Sequence, residues 1–351
     1  MHKDEKYIQR CLDLAILGAG SVSPNPMVGA VIVYEDKIIG EGYTSPFGGS
    51  HAEVNAVQDV INRFGSTQAE QFFVHSTLYV SLEPCAHFGK TPPCADMIVH
   101  YKFRKVVVGC LDPFAKVNGL GIQKLKDAGI EVVVGILEQA CKFINRRFFT
   151  RISQYRPYVI LKWAQTKNGY FAPKTKQQQW ISNKATKQLV HKWRSEEDAI
   201  LVGTNTAIVD NPTLNNRLWT GKSPKKVLID RDLTISLDSN IYHDQSTDVI
   251  IFNAVKTDWN KNIKYIQLEN FDLYLPQNIL YQLYLMDIQS IIIEGGAKTL
   301  QYFIDAGLWD EARVFESNEI WEEGIFAPYI NKEIFQNQLV GNNELKFYFN
   351  S

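Results

Sequence analysis

Two pieces of one stretch decide how this chain reads: Gly49-Ser50-His51-Ala52-Glu53-Val54 and, farther on, Glu83-Pro84-Cys85-Ala86-His87-Phe88-Gly89-Lys90-Thr91-Pro92-Pro93-Cys94. One imidazole and two thiolates make a three-ligand set for zinc: His51, Cys85 and Cys94. A zinc ion with three protein ligands keeps a fourth position for water, which is the catalytic arrangement. Glu53 is not needed as a ligand, so it is free to move protons between that water and a leaving group. H-x-E alone is weak, and a cysteine pair in an intracellular chain is more often small, buried and apolar. The weight comes from finding both, each after an apolar strand-like run and each opening a helix-like run.

Local geometry limits how the pieces can meet. On a regular helix, positions i and i+2 point apart. His51 and Glu53 can therefore share a site only at the mouth of a helix, with the chain still turning in. Cys94 opens a helix through His100, where exposed N–H groups and the helix dipole lower the pKa of a thiol.

Working outward, Tyr7 to Leu17 has helical spacing, Ser23-Pro24-Asn25-Pro26 is a rigid turn, and Val28 to Val33 is a strand with a hairpin partner at Lys37 to Tyr43. The helix from His51 runs to about Phe64. Strands at Thr77–Ser81, Lys105–Gly109 and Glu131–Gly135 alternate with helices, which predicts helices packed on a mixed sheet. A helix from Glu138 ends near Phe149, and the polar Thr150 to Arg156 reads as a boundary between domains 1–150 and 151–351. Beyond it, strands are expected at Tyr158–Trp163, Ala199–Gly203, Lys225–Ile229, Val249–Phe252, Ile263–Gln267 and Ser290–Glu294. Helices are expected at Asn183–Arg194, Pro276–Asp287 and Ala297–Ala306, and the tail after Trp309 reads as strands and loops. Glu294-Gly295-Gly296-Ala297 is a strand-to-helix turn whose glycines let backbone N–H groups approach a phosphate. The polar loop Gly203 to Pro212 also follows a strand, where α/β proteins place ligands.

The composition is that of a globular chain: 351 residues, 45% apolar and 21% charged, with a formal net charge of -1. A near-neutral chain lacks the basic face of a nucleic-acid binder. The short blocks Arg146-Arg147 and Lys225-Lys226 read as solvated surface. No apolar run approaches the ~18 residues of a membrane span, and the charged start Met1 to Lys6 is no secretory signal. Five sparse cysteines argue against a disulfide framework and for a reducing, cytoplasmic setting, with Cys11, Cys110 and Cys141 in the core.

H-x-E followed by a cysteine pair after proline is the signature of zinc-dependent nucleobase deaminases, here with a wider gap between Cys85 and Cys94. Beyond that motif the chain resembles the bifunctional riboflavin-biosynthesis deaminase/reductase family, from about Tyr7 to Leu308. The first domain matches through Ser23 to Gly29, His51-Ala52-Glu53, Glu83 to Cys94 and Lys116 to Gly121. The second matches through Leu161-Lys162, Gln179 to Ser182, Gly203 to Arg217 and Ile293 to Gly296. The resemblance implies an α/β fold in two domains: a cytidine-deaminase-like three-layer α/β/α sandwich, then a dihydrofolate-reductase-like α/β domain. It implies zinc-dependent deamination of a diaminopyrimidinone ribosylamino 5′-phosphate, then NADPH-dependent reduction of the ribosyl group to ribityl.

The same resemblance implies site residues. His51, Cys85 and Cys94 would hold one zinc per chain, and Glu53 would be the catalytic proton carrier. Asn25, His87, Lys90 and Asp112 match pyrimidine and phosphate contacts. Ala164, Trp180, Thr206, Asp210, Gly296, Ala297, Lys298 and Thr299 match NADP contacts, and Arg194, Leu214, Arg217 and Glu294 match contacts to the reductase substrate. Lys162 and Asp210 are candidates for polar assistance to hydride transfer. The chain departs from the family pattern at Thr44, Phe114, Gln178 and Asn168, none of them in the zinc set. The only partner implied is a small phosphorylated pyrimidine, with no nucleic acid and no membrane; homo-oligomer formation is left open. A deaminase acting on tRNA or single-stranded DNA would want a basic groove. A degenerate binding module would be expected to have lost Glu53 or a ligand.

Overall fold

Ala30-Val31-Ile32-Val33 is a run of small and β-branched residues with no breaker, the composition of a strand buried on both faces. In the computed structural model, which describes residues 3–86, 88, 92–114, 118–174 and 183–350, it is the heart of β1. The chain divides into two compact units, Met1–Gln154 and Tyr155–Ser351.

The first unit opens with α1 (Lys3–Ala15), then β1 (Gly29–Tyr34), β2 (Lys37–Tyr43), α2 (Ala52–Phe64), α3 (Ser66–Phe73) and β3 (Thr77–Leu82). It continues with α4 (Cys94–His100), β4 (Lys105–Cys110), α5 (Leu120–Asp127), β5 (Glu131–Val134), α6 (Glu138–Ile144) and α7 (Arg146–Gln154). The sheet order is β2-β1-β3-β4-β5. β1 is antiparallel to β2 and β3, whereas β3, β4 and β5 run parallel. The two faces of β1 carry different helices. A Cβ on Gly29 would sit 1.9 Å from the Cys11 carbonyl oxygen of α1, and one on Gly42, opposite Ala30, would sit 2.4 Å from the Ala52 oxygen of α2. Gly29 and Ala30 alternate across the sheet, so α1 and α2 cover opposite faces and the unit has three layers. Cys11, Cys110 and Cys141 are core residues, as expected.

The second unit contains β6 (Tyr158–Gln165), β7 (Tyr170–Ala172), α8 (Lys184–Glu196), β8 (Ala199–Gly203), α9 (Thr204–Asp210), β9 (Lys225–Ile229) and α10 (Asn240–His243). Then come β10 (Val249–Asn253), β11 (Asp258–Asn260), β12 (Ile263–Gln267), α11 (Leu275–Leu285), β13 (Ser290–Ile293), α12 (Ala297–Asp305), β14 (Glu311–Glu316), β15 (Ile325–Phe326), β16 (Gln336–Val340) and β17 (Asn343–Phe349). The large sheet has the order β11-β12-β10-β9-β8-β13-β6-β14-β17-β16, parallel from β12 through β14. Both faces of its centre are apolar. Ala199 and Leu201 join one cluster with Leu283 of α11 and Leu300 and Phe303 of α12, while Ile200 and Val202 join another with Ala207 of α9 and Ile241 of α10. That is why β8 reads as an unbroken apolar run. The chain fills β8, β9, β10 and β12 outward and then returns to place β13 between β8 and β6. The C-terminal ends of these three strands therefore flank the reversal point, where open α/β sheets bind ligands.

Three local expectations are corrected, and one helix is added. Residues 138–149 are not one helix: α6 ends at Ile144 and α7 continues to Gln154, with Asn145 between them. A cut at residue 150 would thus divide α7. The Gly203–Pro212 loop contains a helix, α9, ended by Asn211 in the left-handed region (φ 40). The segment after Phe64 holds a further helix, α3, which starts right after Gly65. Lys226 is not solvated: its side chain is 0% exposed, and Nζ donates to the carbonyls of Ile241 (3.0 Å) and Asp244 (2.7 Å), satisfying the end of α10.

Gly29→Ala tests the α1 contact. The new methyl must displace helix backbone rather than a flexible side chain, so a loss of about 1–3 kcal/mol is expected, read by urea unfolding followed by circular dichroism. Parent-like stability would mean that α1 does not ride this close to β1.

Candidate active sites

His51, Cys85 and Cys94 come from three different turns. His51 is the N-cap of α2, with extended backbone (φ -72, ψ 163) and no side-chain capping bond. Its ring is left to face the site, as the helix-mouth argument required. Cys85 follows the end of β3, and Cys94 starts α4. Their ligand atoms lie within 4.8 Å of one another, with His51 Nδ1 3.6 Å from Cys85 Sγ and 3.3 Å from Cys94 Sγ. One nitrogen and two sulfurs at this spacing suit zinc, whose sites favour such donors.

Electrostatics separate the two thiols. A hydrogen bond from Cys94 lowers the pKa of Cys85, burial opposes, and the His51 ring lowers it further, to about 4. The Cys94 backbone N–H also reaches Cys85 Sγ at 3.2 Å. Cys94 itself is pushed up, first as the donor of that shared bond and then by burial. His51 is raised to about 9, chiefly by its hydrogen bond with Cys85. Glu53, in the first turn of α2, is 4% exposed. Burial raises its pKa, the His51 ring opposes this, and a hydrogen bond with Cys94 also lowers it. The carboxyl thus sits beside a cysteine and an imidazole with its charged form disfavoured by burial.

The surrounding loops are held by side chains absent from the sequence-level list. Glu83, 4% exposed, accepts N–H groups of Gly119 (3.0 Å), Gly121 (3.0 Å), Asp112 (3.3 Å) and Ile122 (3.4 Å). It ties the loop carrying Asp112 to the strand end that delivers Cys85. Its position directly before Pro84-Cys85 was the available signal. Asp112 is buried, and its carboxylate accepts the Phe114 N–H at 2.8 Å. Asn25 is half-buried in the turn before β1, with its N–H on the Val22 carbonyl at 2.9 Å. Thr44 is buried and its Oγ1 accepts the Val28 N–H at 3.2 Å. His87, Lys90, Trp180 and Gln178 lie outside the described residues.

In the second unit a charged cluster gathers around Glu294, just past β13, with Arg194 of α8 and Lys162 of β6. Arg194 of α8 grips Glu294 through Nε–Oε1 (3.2 Å) and Nη2–Oε2 (2.7 Å), and its Nη1 donates to the Asn215 carbonyl at 3.2 Å. Lys162 Nζ lies 3.9 Å from Glu294 Oε2. Burial pushes the Glu294 carboxyl up, but Arg194 and Lys162 outweigh it and hold it down to about 2. Burial, helped by Arg194, lowers Lys162 against the pull of Glu294. Leu214, buried and left-handed (φ 56), turns the chain so that Asn215 meets Arg194. Arg217 is exposed, with Nη1 on Asn215 Oδ1 (3.0 Å) and its N–H on His191 Nδ1 (3.1 Å). Burial first, then Arg194 and Arg217, lower His191 to about 4, so it stays neutral and accepts.

The turn into α12 is tight and brings threonine hydroxyls to a helix N-terminus. Gly296 is its N-cap with φ 74, which favours glycine. A Cβ there would meet Thr206 Oγ1 at 3.4 Å and Thr299 Oγ1 at 3.5 Å. Thr206, Gly296, Ala297 and Thr299 are thus gathered at one helix N-terminus, the setting that suits a dinucleotide phosphate. Lys298 is exposed beside Tyr302, Ala164 is half-buried on β6, and burial raises the half-buried Asp210 at the end of α9. Asn168 closes a turn, with Oδ1 accepting Thr166 Oγ1 (2.8 Å) and the Trp321 N–H (3.2 Å).

Comparison with known proteins covers both units. The profile of the cytidine and deoxycytidylate deaminase zinc-binding region matches residues 1–110, and that of the RibD C-terminal domain matches residues 157–317. The riboflavin biosynthesis protein RibD of Aquifex aeolicus is 39% identical, over 92% of this chain and 89% of that protein. This chain belongs to the RibD family. It is a bifunctional enzyme of riboflavin biosynthesis, with a zinc-dependent deaminase domain and an NADPH-dependent reductase domain. Among solved structures, RibD of Acinetobacter baumannii has a TM-score of 0.87 at 30% identity, covering 99% of this chain and 98% of that one. A Thermotoga maritima diaminohydroxyphosphoribosylaminopyrimidine deaminase/5-amino-6-(5-phosphoribosylamino)uracil reductase has a TM-score of 0.89 at 32% identity, covering 99% of both chains.

The Glu294 cluster gives a pH-dependent expectation. The folded-state value of about 2 lies below the ordinary 4.5. Its charge therefore contributes stability that is complete above about pH 4.5 and fades as the pH falls toward about 2. Glu294 and Arg194 side chains are only 9% and 12% exposed. Glu294→Gln strands buried cations and is expected to cost about 3–5 kcal/mol at pH 7, while losing that part of the acid sensitivity. Urea unfolding by tryptophan fluorescence across pH 3–7 reads both.

Proposed function

We propose that His51, Cys85 and Cys94 hold the zinc of the deaminase and that Glu53 carries its protons. The observation that supports this reading is the convergence of those three ligands on one point beside a buried carboxyl. Zinc, when bound, supplies the Lewis acidity that makes water nucleophilic near neutral pH. Glu53 takes the proton of the attacking water and passes it to the departing amine. The substrate we assign is the one in the name of the Thermotoga protein, diaminohydroxyphosphoribosylaminopyrimidine. Asn25 and Asp112 are assigned to it, together with His87 and Lys90.

The product of that step, an aminouracil carrying the phosphoribosylamino group, is the substrate we assign to the second unit. NADPH, when bound, supplies the hydride. Thr206, Gly296, Ala297, Lys298 and Thr299 are assigned to its phosphates, and Ala164, Asp210 and Trp180 to the rest of the cofactor. Arg194, Leu214, Arg217 and Glu294 are assigned to the phosphoribosyl substrate. Arg217 offers its exposed guanidinium to the phosphate, and Glu294, held charged, faces the ribosyl hydroxyls. Lys162, whose pKa burial lowers, assists by proton donation, with Asp210 as the second polar group. A cytoplasmic setting is supported by the free thiols of Cys11, Cys110 and Cys141.

Two variants test the deaminase assignment together. Cys94→Ala should lose zinc from about one equivalent per chain. Glu53→Gln should keep zinc yet lose deamination by about 10²–10⁴-fold, with reduction of already deaminated substrate unchanged. Full zinc in Cys94→Ala, or normal ammonia release by Glu53→Gln, refutes the roles.

We also propose that the deaminase occupies the unit ending at Gln154 and the reductase the unit starting at Tyr155. A fragment of residues 1–154 should stay soluble and release ammonia from the substrate. An insoluble or inactive fragment beside an active full chain would sink this division.

A further inference from the structure

We propose that Asn145 is a positioning residue of the deaminase, fixing the backbone of the turn that carries Asn25. The proposal rests on the reading that Asn25 contacts the pyrimidine. Met27 N–H donates to Asn145 Oδ1 at 2.8 Å, and Asn145 Nδ2 donates back to the Met27 carbonyl at 2.9 Å, across 118 residues of sequence. The Asn145 residue is 2% exposed. One planar amide thus copies the donor-acceptor pair of a strand neighbour, where no strand pairs with Met27.

Neither helix beside Asn145 uses its side chain. Its backbone ends α6, and its carbonyl accepts the Phe149 N–H of α7 at 2.9 Å. The next residues are held the same way: Val28 N–H on Thr44 Oγ1 at 3.2 Å and Gly29 N–H on Ser81 Oγ at 3.1 Å. Residues 27–29 are therefore pinned one at a time by side chains from three places where the chain enters β1. Met27 is the pinned position nearest Asn25, so Asn145 sets where that turn sits above the strand ends that deliver Cys85. Asn145 also lies beyond residues 1–110, the part matched by the zinc-binding profile.

Asparagine is the residue this contact needs. Aspartate keeps an acceptor for the Met27 N–H but turns an oxygen toward the Met27 carbonyl. Alanine leaves both Met27 groups without this partner, and an unsatisfied buried polar group is costly.

The test uses the full chain carrying Asn145→Ala, Asn145→Asp, Asn25→Ala, or Asn25→Ala with Asn145→Ala. Deamination kinetics of the diaminopyrimidine phosphate, zinc content, and reduction of deaminated substrate are measured. Asn145→Ala should raise the deamination KM about tenfold, with kcat nearly unchanged, zinc retained and reduction intact. Asn145→Asp should fall between it and the parent, and it decides the matter if the alanine variant fails to fold. The double variant should be no worse than Asn25→Ala alone, because Asn145 acts through that turn. An unmoved KM with only a lower melting temperature overturns the proposal, as do losses that multiply in the double variant. If Asn25→Ala leaves KM unmoved, the reading of Asn25 fails. A raised KM in the Asn145 variants then still supports positioning of the turn, and an unmoved one overturns it.

Discussion

A carboxylate taken out of water must be met by donors, and each unit is arranged around one such group at the end of a strand. In the first, Glu83 follows β3 and its backbone N–H joins the Cys110 carbonyl, while its oxygens collect N–H groups from the loop after β4. In the second, Glu294 follows β13 with its N–H on the Leu201 carbonyl, and its oxygens collect Arg194. The strand fixes where the glutamate is, and the glutamate ties neighbouring segments to that strand end. What differs is the partner. Backbone donors make Glu83 a clamp on a loop, whereas side-chain cations hold Glu294 charged within a largely buried cluster.

The same economy appears in how the helices approach the sheet. Gly29 and Gly42 remove the side chains that would separate α1 and α2 from β1 and β2. Close contact on both faces places the start of α2, and with it His51 and Glu53, against the strand ends. His51 can then turn its ring to the cysteines because it is not needed as a capping side chain.

Much of this was legible in the sequence because the signals were local. The H-x-E and cysteine pieces lie at strand-to-helix turns, and the apolar runs of β8, β9, β10 and β13 report burial on two faces. Gly295-Gly296 marks the turn into α12. What escaped reading depends on contacts distant in sequence. Periodicity from Glu138 carries on past Asn145, and nothing nearby says that this side chain belongs to Met27. Lys226 looks like any surface lysine until the carbonyl end of α10 is placed over it. α9 hides in a polar stretch, Thr204-Asn205-Thr206, that also suits a loop.

The distribution of sealed reactive groups has a practical side. All five cysteines belong to the first unit, and Cys11, Cys110 and Cys141 are 0% exposed. In the second unit, Lys226 is an amine with no surface at all. A thiol reagent reaches those three sulfurs, and an amine reagent reaches Lys226, only when the surrounding structure opens. Each unit therefore carries its own chemical clock, and two labelling rates measured on one intact chain time the opening of the two halves separately.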